Sequence, residues 1–298
     1  MRILLAIDSS APSMIAVDEV ARRPWPKGTT LRILHVFEKG PLWESLYIGG
    51  GDVAALTEKA REAAGRLVEE AAQRVGGAIS TSTDVIQGHP RIEIPDYATK
   101  RAADLLIVGS HGRSGVSRVL LGSVALTVMR RAPCSVQIVR PRAGADSGGM
   151  RILLATDGSP CSLAAAQSVA ARPWPRGSQI RIIGVAESAA HVVEPWYFDR
   201  EIMQSVIDQQ IKEAKLSVAS AQEIIQDSAN LTSSTTVPLG VATGAILEEA
   251  DNWKADLIVL GSHGRHGLGR LLIGSVSESV AIHARCSVEV VRKKTNED

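Results

Sequence analysis

The first half of the chain is largely repeated in its second half. Arg2-Ile-Leu-Leu-Ala6 returns as Arg151-Ile-Leu-Leu-Ala155, and Pro24-Trp-Pro-Lys-Gly28 returns as Pro173-Trp-Pro-Arg-Gly177. The offset is 149 at both places and 152 between Gly109 and Gly261, so a few residues are inserted within the second half. Such a repeat decides the architecture: two tandem copies of one domain. The reading places the first domain at residues 1–142, a short flexible linker at 143–149 and the second domain at 150–298. Met150 stands where Met1 stands, as a fused gene duplication would leave it.

Within each half, short apolar runs alternate with helical stretches. Strand one is Ile3 to Ile7, or Ile152 to Thr156. A helix follows from about Ser13 to Arg22, or from about Ser162 to Arg172, and the Pro-Trp-Pro-x-Gly element ends it. Strand two is Thr30 to Phe37, or Gln179 to Ala186, followed by a variable loop holding Trp43 or Trp196. A long Ala-rich, charged helix covers about Asp52 to Val75, or about Asp199 to Asp227. Strand three is Ser80 to Ile86, or Thr232 to Val237. A third helix lies at about Ile92 to Arg101, where Pro95 kinks or starts it, and at about Ala245 to Trp253. The fourth strands, 104–108 and 256–260, and the last, Cys134 to Val139 and Cys286 to Val291, are continuous apolar runs that suit a parallel sheet buried on both faces. Alternating β and α elements call for a doubly wound α/β domain with helices on both faces of a parallel sheet.

Between the fourth and fifth strands lies a glycine-rich stretch that occurs twice. It is Gly109-Ser110-His111-Gly112-Arg113, continuing to Gly122-Ser123, and Gly261-Ser262-His263-Gly264-Arg265, continuing to Gly274-Ser275. A glycine loop between a strand and a helix suits an anion. Glycines let backbone N–H groups approach it and adopt positive φ. The helix beginning at Gly122-Ser123 or Gly274-Ser275 adds free N–H donors, the positive end of a dipole and a serine hydroxyl. No Lys follows the glycines as a Walker loop requires, and the spacing differs from Gly-x-Gly-x-x-Gly.

The spacing is Gly, two residues, Gly, nine residues, Gly-Ser, and it resembles the ATP-binding pattern of the universal stress protein family. That resemblance extends over nearly the whole chain as two tandem domains. It implies the strand order 3-2-1-4-5 in each half and ATP, with or without Mg²⁺, at each switch point between strands one and four. It places adenine over strand two near Val36 and Val185. It also implies that the halves pair through their fifth strands, and it allows the full chain to dimerise again.

Asp8 and Asp157 close the first strands, where a carboxylate faces the crevice and accepts hydrogen bonds from ribose hydroxyls; the competing reading is a turn or helix-cap aspartate. Gly158 stands where the first half has Ser9, which suits a positive φ. Arg113, Arg118, Arg265 and Arg270 either neutralise phosphates or lie solvated. His111 and His263 have no ligand-spaced partners for a metal and read as loop residues bonded locally. No general base, arginine finger or metal cluster marks a hydrolase, so ATP hydrolysis is expected to be slow or absent. An ATP-binding signalling protein, a slow ATPase and an interaction scaffold are the competing functions.

Composition narrows the partners. Lys plus Arg is 33 against 32 for Asp plus Glu, so no global field attracts nucleic acid or membrane. Aromatic residues are 3%, too few for base-stacking platforms. Cys134, Cys161 and Cys286 offer neither a disulfide framework nor metal spacing. The chain enters a strand at once without a leader pattern and has no apolar run approaching about 20 residues, so the cytoplasm is the expected compartment.

Overall fold

A computed structural model describes residues 1–49, 51–77, 79–112, 121–142, 148–187, 200–226, 231–264 and 273–293. The chain divides into two compact units, Met1–Pro141 and Arg142–Asp298.

The first unit runs β1 (Arg2–Ile7), α1 (Ala11–Arg22), β2 (Thr30–Phe37), α2 (Pro41–Ile48), α3 (Val53–Val75), β3 (Ser80–Gln87), α4 (Pro90–Lys100), β4 (Leu105–Gly109), α5 (Ser123–Arg131) and β5 (Ser135–Val139). Its strands are parallel in the order β3-β2-β1-β4-β5, as the resemblance implies. One face of the sheet meets α1 and α3. Ile3, Leu5, Leu31, Ile33, Leu105 and Ile107 interlock there with Ala16, Val17, Val20, Val68, Ala71 and Val75. On the other side α4 packs against α5 and against β2. Because both faces are covered, Leu4, Leu34 and Leu106 are as fully buried as their neighbours. Each such side chain contributes about 1.5–3 kcal/mol by leaving water.

The second unit runs β6 (Arg151–Ala155), α6 (Pro160–Ala170), β7 (Gln179–Ile183), β8 (Ala186–Glu187), α7 (Arg200–Gln226), β9 (Thr232–Thr236), β10 (Leu239–Gly240), α8 (Ala242–Asn252), β11 (Leu257–Gly261), α9 (Ser275–His283) and β12 (Ser287–Val291). Its main strands are parallel in the order β9-β7-β6-β11-β12, the same topology, and β8 pairs with β10 alongside. Ile152, Leu154, Ile180, Ile182, Leu257 and Val259 pack against α6 and α7.

The repeated Pro-Trp-Pro-x-Gly element has a mechanical explanation. The Trp25 indole N–H donates to the carbonyl of Val20 at 2.9 Å, and Trp174 does the same to Val169 at 2.9 Å. Each ring thus fastens onto a carbonyl in the last turn of its helix; that of Val169 also accepts from the Arg172 N–H at 3.3 Å. Gly28 and Gly177 then take φ of 76° and 80°, which only glycine adopts without strain, and turn the chain into the next strand.

Several sequence expectations change in detail. Where a variable loop was expected around Trp43, α2 forms, opened by Pro41. Trp196 lies outside the described residues. The first helices start earlier than expected because Ser10 and Ser159 cap them, accepting from the N–H of Ser13 and Ser162. Likewise α4 starts at Pro90, where a missing N–H costs nothing, and Pro95 lies inside it. The second strand of the second unit stops at Ile183 instead of running to Ala186. At Gly184 the backbone comes so near α7 that a Cβ would stand 2.7 Å from Val218 Cγ2 and 2.9 Å from the Ala214 carbonyl oxygen. The third strand there ends at Thr236, short of Pro238, which has no N–H to extend a ladder.

Candidate functional site

In each unit the chain leaves the first strand toward the face covered by the first helix. It leaves the fourth strand, after a glycine loop, toward the opposite face. The crevice so formed lies outside the carboxyl ends of β1 and β4, or of β6 and β11.

Asp8 stands at this crevice in the first unit. Its Oδ1 accepts from the Ser10 N–H at 3.0 Å and from the Ser13 hydroxyl at 2.7 Å. The turn role is therefore carried by one oxygen. The other, Oδ2, lies 3.0 Å from where a Cβ on Gly112 would be. In the second unit Asp157 Oδ1 accepts from the Ser159 N–H at 3.0 Å, and Oδ2 lies 2.8 Å from the Cβ position of Gly264. Gly158 adopts φ of 77°, whereas Ser9 is not among the residues with positive φ.

None of the described loop glycines has positive φ, contrary to expectation. They are glycines because something lies where a side chain would go. A Cβ on Gly109 would be 2.7 Å from the carbonyl carbon of Pro12, and one on Gly261 would be 2.6 Å from that of Cys161. Gly122 and Gly274 cap α5 and α9, as the spacing suggests. Their N–H groups do not face an open phosphate position. They donate to the carbonyls of Ser110 and Ser262 at 2.8 and 2.7 Å, closing the loop on itself. The N–H groups of the first turns of α5 and α9 have no partner within their helices, and Ser123 and Ser275 are exposed beside them.

Ser110 and Ser262 are buried, and their hydroxyls lie 3.0 and 3.1 Å from Nδ1 of His111 and His263. The histidines thus bond locally, as read, while Nε2 of each is buried with no hydrogen-bond partner. Burial, helped by Arg140 or Arg292, holds both imidazoles below the usual histidine range. Arg113, Arg118, Arg265 and Arg270 lie outside the described residues. Among the described residues no cluster of three or more His, Cys, Asp or Glu is arranged for a metal.

In the second unit these pieces border one cavity of about 570 Å³. Asp157, Val185, Gly261, Gly264, Gly274 and Ser275 all line it, so six of the residues singled out from the sequence meet there. Val36, the counterpart of Val185, is buried at the end of β2. Sequence reasoning missed the opposite wall, formed by Glu187 and by Gln210, Glu213 and Ser217 of α7.

A family model described as Universal stress protein family matches residues 1–140 and again 150–292. The chain belongs to the universal stress protein family. Among curated universal stress proteins, one of Mycolicibacterium smegmatis is 29% identical over 301 residues, covering 98% of this chain and 97% of its own. One of Mycobacterium tuberculosis is 30% identical over 245 residues, 79% of this chain and 78% of its own. A solved universal stress protein from Archaeoglobus fulgidus shares the fold at a TM-score of 0.65 and 21% identity, covering 99% of this chain and 97% of its own. Membership in the universal stress protein family accounts for the tandem plan of the two units and their shared strand order. Among the described residues, no helix is long and apolar enough to cross a membrane.

Proposed function

We propose that each half holds an adenine nucleotide, ATP with or without Mg²⁺, at its switch point, and that occupancy serves a stress-related signal in the cytoplasm. The observation that carries this reading is the single cavity bordered by Asp157, Val185 and the Gly264 and Gly274-Ser275 segments. Its volume suits a nucleotide-sized ligand. Asp8 and Asp157 accept the ribose hydroxyls through the oxygen not used in the turn. Val36 and Val185 pack against the base. The helix N-termini at Ser123 and Ser275 take the phosphates, and Arg113 and Arg265 offset their charge. Turnover is slower than about 1 per second, because this set of groups binds without activating a water.

Mass spectrometry of small molecules released from the denatured, purified protein tests the reading. An adenine nucleotide at up to two per chain is expected. A folded protein that carries none and takes up none at millimolar ATP is the interaction scaffold instead.

A further inference from the structure

The two halves differ along one wall. Helices α3 and α7 align through their buried positions: Ala64, Val68, Ala71 and Val75 match Ala214, Val218, Ala221 and Ile225. In that register Gln210, Glu213 and Ser217 stand where the first half has Ala60, Ala63 and Leu67. The strand beneath changes too. His35 of β2, whose Nδ1 lies 2.7 Å from the Ile7 carbonyl oxygen, corresponds to Gly184. Glycine there lets α7 settle onto the strand end next to Val185.

That wall brings two side-chain acceptors to the cavity. Gln210 lines the cavity, and its Oε1 is buried with no hydrogen-bond partner. Glu213 also lines the cavity, and its Oε1 accepts from Gln209 Nε2 at 3.0 Å, which steadies the carboxylate. A buried acceptor without a donor is costly unless the ligand supplies one. A purine with a 6-amino group supplies two N–H donors, and an amide side chain is the group that pairs with adenine's N6 edge in nucleic-acid recognition. A 6-oxo purine sets an oxygen against oxygens instead. The carboxylate makes the choice one-sided, because an amide alone can turn over to donate and an ionised carboxylate cannot.

We infer that the pocket of the second half selects a 6-amino purine through Gln210 and Glu213, and that the first half, with Ala60 and Ala63 at those positions, does not make this selection. The inference rests on the nucleotide reading above. Calorimetric titration of the full chain with ATP and with inosine triphosphate, which differ only in the 6-amino or 6-oxo group, tests it. In the native chain ATP fills both sites. Inosine triphosphate fills one about as well as ATP and the other at least about tenfold more weakly. The double variant Gln210→Ala, Glu213→Ala copies the first half and favours the helix, so it folds. It loses about tenfold in ATP affinity at one site, and the two nucleotides then bind alike within about threefold. Equal binding of both nucleotides by the native chain, or discrimination that survives in the double variant, overturns the inference and leaves the nucleotide reading standing. Absence of binding by both nucleotides to the folded native chain overturns both.

Discussion

The Oδ2 atom of Asp8 lies 3.0 Å from the position a Cβ on Gly112 would take, and Asp157 stands to Gly264 in the same way at 2.8 Å. Two segments far apart in sequence thus meet with no room for a methyl group. An alanine at either glycine displaces only the end of a carboxylate side chain. Gly112→Ala and Gly264→Ala are therefore expected to weaken nucleotide binding at their own site about tenfold, the loss of roughly one charge-assisted hydrogen bond. The melting temperature should change little. Titration paired with thermal melts checks this, and unchanged affinity would remove the aspartates from the site.

Gly109 and Gly261 should behave in the opposite way. An added Cβ meets the backbone at Pro12 or Cys161 at 2.7 or 2.6 Å, and backbone at a helix start yields little. Gly109→Ala and Gly261→Ala are expected to cost about 1–3 kcal/mol or more of stability by overpacking. Chemical denaturation measures it; a neutral result would show that the first helix shifts freely.

The doubly wound fold and nearly every element could be read, because the repeat supplied two versions of each apolar run; the strand order came only from the family resemblance of the glycine loops. The glycines were legible as a motif but not as a mechanism. Their spacing suggests open backbone, whereas Gly109 makes room for α1 and Gly122 spends its N–H on Ser110. Residues on α7 escaped notice because Gln210 and Glu213 look like a solvated helix face until the sheet beneath them is known. Aligning the buried stripes of α3 and α7 would have exposed them. Helix α2 stands where a variable loop was expected, although Pro41 at its first turn favours a helix start.

Acid should destabilise the fold through the two loop histidines. Both are held below the 6.5 of an ordinary histidine by burial, helped by Arg140 and Arg292. Protons therefore favour the unfolded chain. This part of the stability is complete above about pH 6.5 and is lost as pH falls through the lowered values. Denaturant midpoints at about pH 7.5 and about pH 5.5 should differ less in a His111→Gln, His263→Gln double variant than in the native chain. An equal or larger difference would contradict the assignment.

A buried ion pair fixes the end of α6 to β12. Arg172 donates to both oxygens of Glu289 at 2.9 and 2.6 Å, and the two side chains are 3% and 1% exposed. Glu289→Ala leaves a buried guanidinium without its carboxylate and should cost about 3–5 kcal/mol. Glu289→Gln should cost less. The first half already uses Gln137 at the equivalent place, where it accepts from Arg23 at 3.2 Å. Denaturation of the two variants side by side tests this, and equal losses would contradict it.

Nucleotide binding by both halves, as proposed, is tested most directly at the starts of α5 and α9. A Cβ on Gly122 would lie 3.2 Å from His111 Cα, and one on Gly274 would lie 3.3 Å from the Ser262 carbonyl oxygen, so valine there pushes the helix start off the loop. Losing about two phosphate hydrogen bonds at roughly 1.5–3 kcal/mol each weakens binding of order 100-fold or more. The direct measurement is calorimetric titration of ATP into the native chain, Gly122→Val, Gly274→Val and the double variant, with circular dichroism confirming the fold. Two sites, one, one and none are expected. A folded native chain that takes up no ATP, or a double variant that keeps both sites, would contradict this expectation.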